Sequence, residues 1–274
     1  MPVIQSDGCP INVETEGRAD APVLMMCNSL GTDLHMWDPQ APAFAKDFRL
    51  VRYDRRGHGK SGVPKGPYTM EQLGRDALAV MDALGLAKVN WCGLSMGGMV
   101  GQWLGANAPG RINRLILSNT HSFYPDKAMW DDRIRMAQEK GIPGMVDATM
   151  ERWFTKEFRE RASDRVAVMH DMFLKTQLDG FLGCCHAVRN MDLRDTHARI
   201  TAPTLVIVGA KDPATPPAAG EAIQKAIKGA RLASLEAAHI SNFEQPQVYV
   251  DTVLGFLKAA PTAKRLPGTR PDIA

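Results

Sequence analysis

Val89-Asn90-Trp91-Cys92-Gly93-Leu94-Ser95-Met96-Gly97-Gly98-Met99-Val100 is the stretch on which the fold turns. Val89 to Cys92 is a short, mostly apolar run of the kind a strand buried on both faces requires, and Met99, Val100, Trp103 and Leu104 follow as a helix. Between them Gly93-Leu94-Ser95-Met96-Gly97 sets glycine two residues either side of a serine. Strand, sharp turn, helix is the predicted order. A turn that tight crowds the backbone, which is why both flanks want glycine. It also lifts the seryl oxygen to the C-terminal end of a sheet, with the positive end of a helix behind it. A glycine-rich turn with an incidental serine is the plainer alternative, so the rest of the chain has to decide.

Working outward, similar apolar runs bounded by turn residues recur at 23–27, 48–53, 112–117 and 205–208, as a parallel sheet needs. Thr69-Met70-Glu71-Gln72 reads as a capping box, and Leu73, Ala77, Val80 and Leu84 then share one helical face. Strand alternating with helix predicts an α/β fold with a mostly parallel central sheet. Ahead of it, Val3 to Ser6, an Asp7-Gly8 turn and an alternating run from Ile11 to Glu14 read as a β-hairpin. The alternation fails from His121 to Ala198, where Val146, Met150 and Trp153, then Val166, Met169 and Phe173, keep helical spacing. We therefore expect a core of residues 1–120 and 199–258, a helical cap of 121–198 inserted before the next strand, and a flexible tail of 259–274.

The 274 residues carry a net charge of +3, part of it from Lys264, Arg265 and Arg270 in the tail, which leaves no extended phosphate-binding face and argues against a nucleic-acid partner. Five scattered cysteines without a C-x-x-C pair fit a reducing compartment. The N-terminus shows no secretion signal. The charge-free run 89–110 is interrupted by polar residues and glycines, so no membrane segment is read there. A cytoplasmic protein is expected.

A serine of ordinary pKa is a poor nucleophile and needs a base with something to orient it. Among seven histidines, His239 stands after the run Leu232 to Leu235 and before a final helix starting at Pro246, on a loop able to reach back over the turn. His58 sits among loop-shaping residues, whereas His121, His170, His186 and His197 belong to or border the cap, where surface or pocket-lining roles are expected. Asp212 follows the strand 205–208. Taken alone it also reads as a turn-forming residue before Pro213, but the strand ending at Ser118 is followed by Asn119-Thr120 and no acid. The order Ser95, Asp212, His239 is that of α/β-hydrolases and not of the chymotrypsin or subtilisin folds. The oxyanion would be held by the Met96 amide and one from the loop Asn28-Ser29-Leu30-Gly31-Thr32, where Leu30 is the choice.

These stretches, with Asn28 to Asp38, Tyr53-Asp54-Arg55-Arg56-Gly57-His58-Gly59-Lys60-Ser61 and the turn at Ser95, resemble the 3-oxoadipate enol-lactonases. Arg152-Trp153-Phe154, Gly183-Cys184-Cys185 through Arg189, and Asp192-Leu193-Arg194 extend the resemblance into the cap. It implies a small anionic lactone as substrate, hydrolysed through an acyl-enzyme with no cofactor or metal. An anionic substrate wants a cation in the pocket, and the cap's 12 basic and 13 acidic residues provide no general field, so Arg133 or Arg189 is expected to serve. Trp130 resembles the tryptophan that these enzymes place over the pocket; a plain core tryptophan is the alternative. Cys184 and Cys185 are read as packing residues. A general carboxylesterase, a haloperoxidase-like perhydrolase and a non-hydrolysing ligand receptor are the rival readings of the same fold.

Overall fold

The computed structural model describes residues 3–259. Its strands are β1 (Ile4–Ser6), β2 (Cys9–Ile11), β3 (Val13–Glu16), β4 (Val23–Cys27), β5 (Arg49–Tyr53), β6 (Val89–Leu94), β7 (Ile112–Ser118), β8 (Thr204–Gly209) and β9 (Arg231–Leu235). β1 and β2 form the expected hairpin, with Asp7 and Gly8 both at positive φ, the turn whose twist matches that of its strands. The run from Ile11 to Glu14 is not one strand, however. At Asn12 the backbone leaves the hairpin: its N–H donates to Ser61 Oγ and its carbonyl accepts the Asp54 N–H. β3 is thereby delivered to the main sheet, antiparallel to β5.

The main sheet has the order β3-β5-β4-β6-β7-β8-β9, and every neighbour pair except β3 with β5 is parallel. β6 and β8 are buried throughout, which is why their sequences read as unbroken runs, while β9 at the edge exposes Leu232. From β4 the chain crosses to β5 on one side and then to β6 on the other. The crevice between the C-terminal ends of β4 and β6 is thus the switch point at which open α/β sheets bind ligands.

Helices α1 (Ala41–Phe44), α2 (Met70–Ala83) and α3 (Met96–Asn107) precede β7. In α2 the Thr69 hydroxyl caps the Gln72 N–H at 3.1 Å, and Leu73, Ala77 and Val80 are buried as their spacing requires. Leu84 falls just past its end, because Gly85 turns left-handed and the Leu86 N–H returns to Met81 O. The connection from β7 to β8 carries α4 (Ala128–Lys140), α5 (Val146–Trp153), α6 (Lys156–Arg161), α7 (Ser163–Leu174) and α8 (Leu178–Asn190). These helices sit over the sheet's C-terminal edge, where Gly180 meets Gly57 so closely that a Cβ on Gly180 would lie 2.0 Å from the Gly57 oxygen. After β8 come α9 (Pro217–Ala226), α10 (Ser241–Glu244) and α11 (Pro246–Lys258). Beyond Ala259 the expected flexible tail lies outside the described residues. Among the described residues no helix is long and apolar enough to cross a membrane.

Candidate active site

Ser95 stands between β6 and α3 with φ of 56° and ψ of −116°, a conformation that side chains rarely adopt. The flanking glycines show what enforces it. A Cβ on Gly93 would lie 2.1 Å from the Gly97 carbonyl, and one on Gly97 would lie 2.0 Å from the Cys27 carbonyl. The turn is further pinned by the Ser95 N–H on Ser118 O at 2.8 Å and by the Thr120 hydroxyl on Ser95 O at 2.7 Å.

The structure brings Ser95, His239 and Asp212 together across three separate strand ends. His239 Nε2 lies 2.9 Å from Ser95 Oγ, and its Nδ1 lies 2.9 Å from Asp212 Oδ2, with all three residues buried. Asp212 also accepts the Thr215 hydroxyl at 2.6 Å, the Asn119 amide at 2.9 Å and the Ala214 and Thr215 N–H groups at 2.8 and 3.0 Å. Burial pushes this carboxyl up, but the charge and hydrogen bond of His239, with those of Thr215 and Asn119, outweigh it and hold the group down at about 2. An ionised Asp212 orients the imidazole so that Nδ1–H donates and Nε2 accepts the seryl proton.

Asn119 was noted in the sequence only as the place where an acid is missing. Its amide in fact joins Asp212 to the Ala238 carbonyl at 3.1 Å, and its oxygen accepts the Ser241 hydroxyl at 2.6 Å. Glu244, which nothing in the local pattern marked, accepts the Ala238 N–H at 3.0 Å and the Thr155 N–H at 3.3 Å. It ties the His239 loop to the cap.

Leu30 and Met96 both line the cavity above Ser95, and no acceptor among the described residues takes either backbone N–H. Gly31, the neighbouring candidate, is excluded as a donor because its N–H is given to His58 Nε2 at 2.9 Å. Burial first, then Arg55, lowers the His58 pKa to about 3, so the imidazole stays a neutral acceptor. Backbone N–H groups without an acceptor, on residues that line one cavity with Ser95, are the type of donor that can hold negative charge.

The cavity has a volume of about 300 Å³ and is walled by Trp130, Arg133, Arg152 and several methionines. Arg133 lies with its guanidinium carbon 5.3 Å from the Trp130 ring centre and 5.5 Å from that of Phe181, and its Nε is buried with no partner among the described residues, as is Trp130 Nε1. Arg189 does not belong here. Its guanidinium takes both Asp131 oxygens, one of them at 2.9 Å, and so braces α8 against α4 away from the cavity. Arg152, quoted in the sequence only within a family stretch, is the second cation of the wall. Burial and then the like charge of Arg133 bring its pKa down to about 10. A signal for it existed, since Met145, Ala148 and Arg152 fall at i, i+3 and i+7 and all face the cavity. His197 is a buried core residue bonded to Gln102 at 2.8 Å, neither on the surface nor in the wall. Cys184 and Cys185 are buried thiols whose pKa burial raises to about 11 and 12, which suits packing.

The α/β-hydrolase fold family matches the chain over residues 22–170. The chain is 39% identical to 3-oxoadipate enol-lactonase 2 of Acinetobacter baylyi, over 90% of its own length and 93% of that protein. To 3-oxoadipate enol-lactonase 1 of the same organism it is 33% identical over 94% and 96% of the two chains. The crystal structure of an enol-lactonase from Burkholderia xenovorans superposes with a TM-score of 0.92 at 42% identity, covering 94% of this chain and all of that one. The chain therefore belongs to the α/β-hydrolases and, within them, to the 3-oxoadipate enol-lactonase family.

Proposed function

We propose that the protein hydrolyses 3-oxoadipate enol-lactone to 3-oxoadipate, with Ser95 as nucleophile, His239 as general base and acid, and Asp212 as the group that orients the imidazole. The observation that carries the reading is the unbroken chain from Asp212 through His239 to Ser95, at 2.9 Å for each link, beneath an apolar cavity whose wall holds Arg133, with a buried Nε that has no acceptor among the described residues. His239 takes the seryl proton as Oγ adds to the lactone carbonyl, and the Leu30 and Met96 amides receive the oxyanion. Collapse breaks the ring C–O bond. The departing enolate is a better leaving group than an alkoxide, is protonated from His239 and tautomerises to the ketone, which disfavours reclosure. Water, deprotonated by His239, then attacks the ester at Ser95 and releases the second carboxylate.

Arg133 and Trp130 are the groups we assign to the substrate's carboxymethyl group, with Arg152 beside them. Residues 121–198 act as the cap that carries this specificity, while the core carries the chemistry. The five buried free thiols support work in the reducing cytoplasm. The test is a continuous ultraviolet assay on enzymatically generated enol-lactone, with simple p-nitrophenyl esters alongside. We expect the enol-lactone to be turned over with a kcat/KM far above that of the esters. Ester hydrolysis with no action on the lactone would make the protein a general carboxylesterase, and slow action on both would make it a receptor.

A further inference from the structure

Arg55 is fully buried and has no carboxylate partner among the described residues. Its neighbour Arg56, equally buried, is by contrast neutralised by Asp76 at 2.6 Å. A guanidinium withdrawn from water without a counter-ion is costly, so what it does touch is informative. Nη1 donates to the Asn28 carbonyl and, at 3.9 Å, to Cys27 Sγ, and Nη2 donates to the Ser29 carbonyl at 2.8 Å, while Nε has no partner among the described residues. Both carbonyls belong to the loop between β4 and α1 that carries Leu30.

In a trans peptide the carbonyl and the N–H point in opposite directions, and the Ser29 carbonyl shares its peptide with the Leu30 N–H. The Thr32 hydroxyl donates to the same oxygen at 2.8 Å. One peptide is therefore gripped from behind by a full positive charge and a hydroxyl. Its N–H faces away from Arg55, with Leu30 lining the cavity above Ser95. The next amide along, that of Gly31, is held by His58, so the loop can offer the Leu30 donor in one orientation.

We propose that Arg55 is a positioning residue that backs the oxyanion site electrostatically, fixing and polarising the Ser29–Leu30 peptide so that its N–H favours a negative oxygen over a neutral carbonyl. The inference rests on the acyl-transfer reading given above. A donor whose carbonyl is drawn toward a cation is strengthened through the amide, and the unpaired charge adds a field that grows in value only as the oxyanion forms. The effect belongs to kcat. Loss of a direct oxyanion donor costs about 10²–10³ in kcat. Acting one peptide further back, Arg55 should be worth roughly 10–100-fold by the same scale.

Arg55→Met, Arg55→Lys and Thr32→Val are to be compared with wild type in three readouts. These are acylation by p-nitrophenyl acetate, inhibition by an alkylboronic acid that forms a tetrahedral anion on the serine, and inhibition by adipate, a ground-state dianion. For Arg55→Met we expect kcat to fall about 10–100-fold with KM within about threefold, boronate Ki to rise by the same factor and adipate Ki to hold. Arg55→Lys, keeping the charge, should recover a large part. Thr32→Val should show the same pattern at about 3–10-fold, and it carries the test if neither Arg55 variant folds. Unchanged kcat and boronate affinity in folded Arg55→Met, equal losses for boronate and adipate, or an unaffected Thr32→Val where the Arg55 variants do not fold would each overturn the proposal. If wild type is acylated by the ester but does not open the enol-lactone, only the substrate assignment fails and the Arg55 comparison stands. If wild type neither acylates nor binds boronate, the serine reading falls and takes the Arg55 proposal with it.

Discussion

The two walls of the cavity are built on opposite terms. On the sheet side the side chains of the triad answer one another: Asp212 accepts from five donors, His239 is bonded at both nitrogens, and Asn119 links three segments. On the cap side Arg133 and Trp130 keep buried N–H groups with no acceptor among the described residues. A saturated network is already in its working geometry, whereas an unsaturated one is completed only by a ligand. The difference assigns chemistry to the sheet and selectivity to the cap, and each expectation below can break that division or sharpen it.

The largest effect falls on the sheet side. Ser95→Ala should lower kcat by up to about 10⁶, because the three residues act as a unit. A correctly folded variant keeping more than about a tenth of wild-type turnover would end the covalent mechanism. Asp212→Asn should cost about 10³–10⁴ in kcat by leaving His239 in the wrong tautomer. A milder loss would point to another acid.

Asp212 also links stability to pH. Its folded-state pKa of about 2 lies below the ordinary 3.8, so its contribution is complete above about pH 4 and is lost as pH falls through about 2. The amount is on the order of 2 kcal/mol. Urea unfolding of wild type and Asp212→Asn should therefore differ most near neutral pH and converge in acid. A constant difference would mean that the network is not ionic.

What was legible in the sequence follows the same division. The elbow at Ser95 is written in adjacent residues, since backbone crowding acts over a few positions, and the order of serine, acid and base survives any cap length. Strands buried on both faces announce themselves as apolar runs. The second half of the hairpin was misread because alternation continues through Asn12, while the bonds that redirect the chain there come from Asp54 and Ser61, distant in sequence. The sequence offers Arg189 as a pocket cation, but its partner Asp131 lies 58 residues away and no local pattern reports it. Arg55 stands in the sequence only within a stretch that carries the family resemblance, and burial without a counter-ion among the described residues sets it apart.

The smallest effect tests the brace. Asp131→Asn should leave the thermal midpoint nearly unchanged, as solvent-screened ion pairs do, and leave kcat/KM on the enol-lactone within about twofold. A large kinetic loss would show that Arg189 reaches the substrate when the cap moves.

The division between sheet and cap is tested most directly by Arg133→Met, which keeps much of the apolar stem and deletes the charge, measured on the anionic enol-lactone and on a neutral ester of similar size. A charge-assisted hydrogen bond of about 1.5–3 kcal/mol predicts a fall in kcat/KM of roughly 10–150-fold for the lactone and less than about twofold for the ester. Equal losses on both substrates would contradict the account, because the arginine would then be holding the cap together and the selectivity would lie elsewhere.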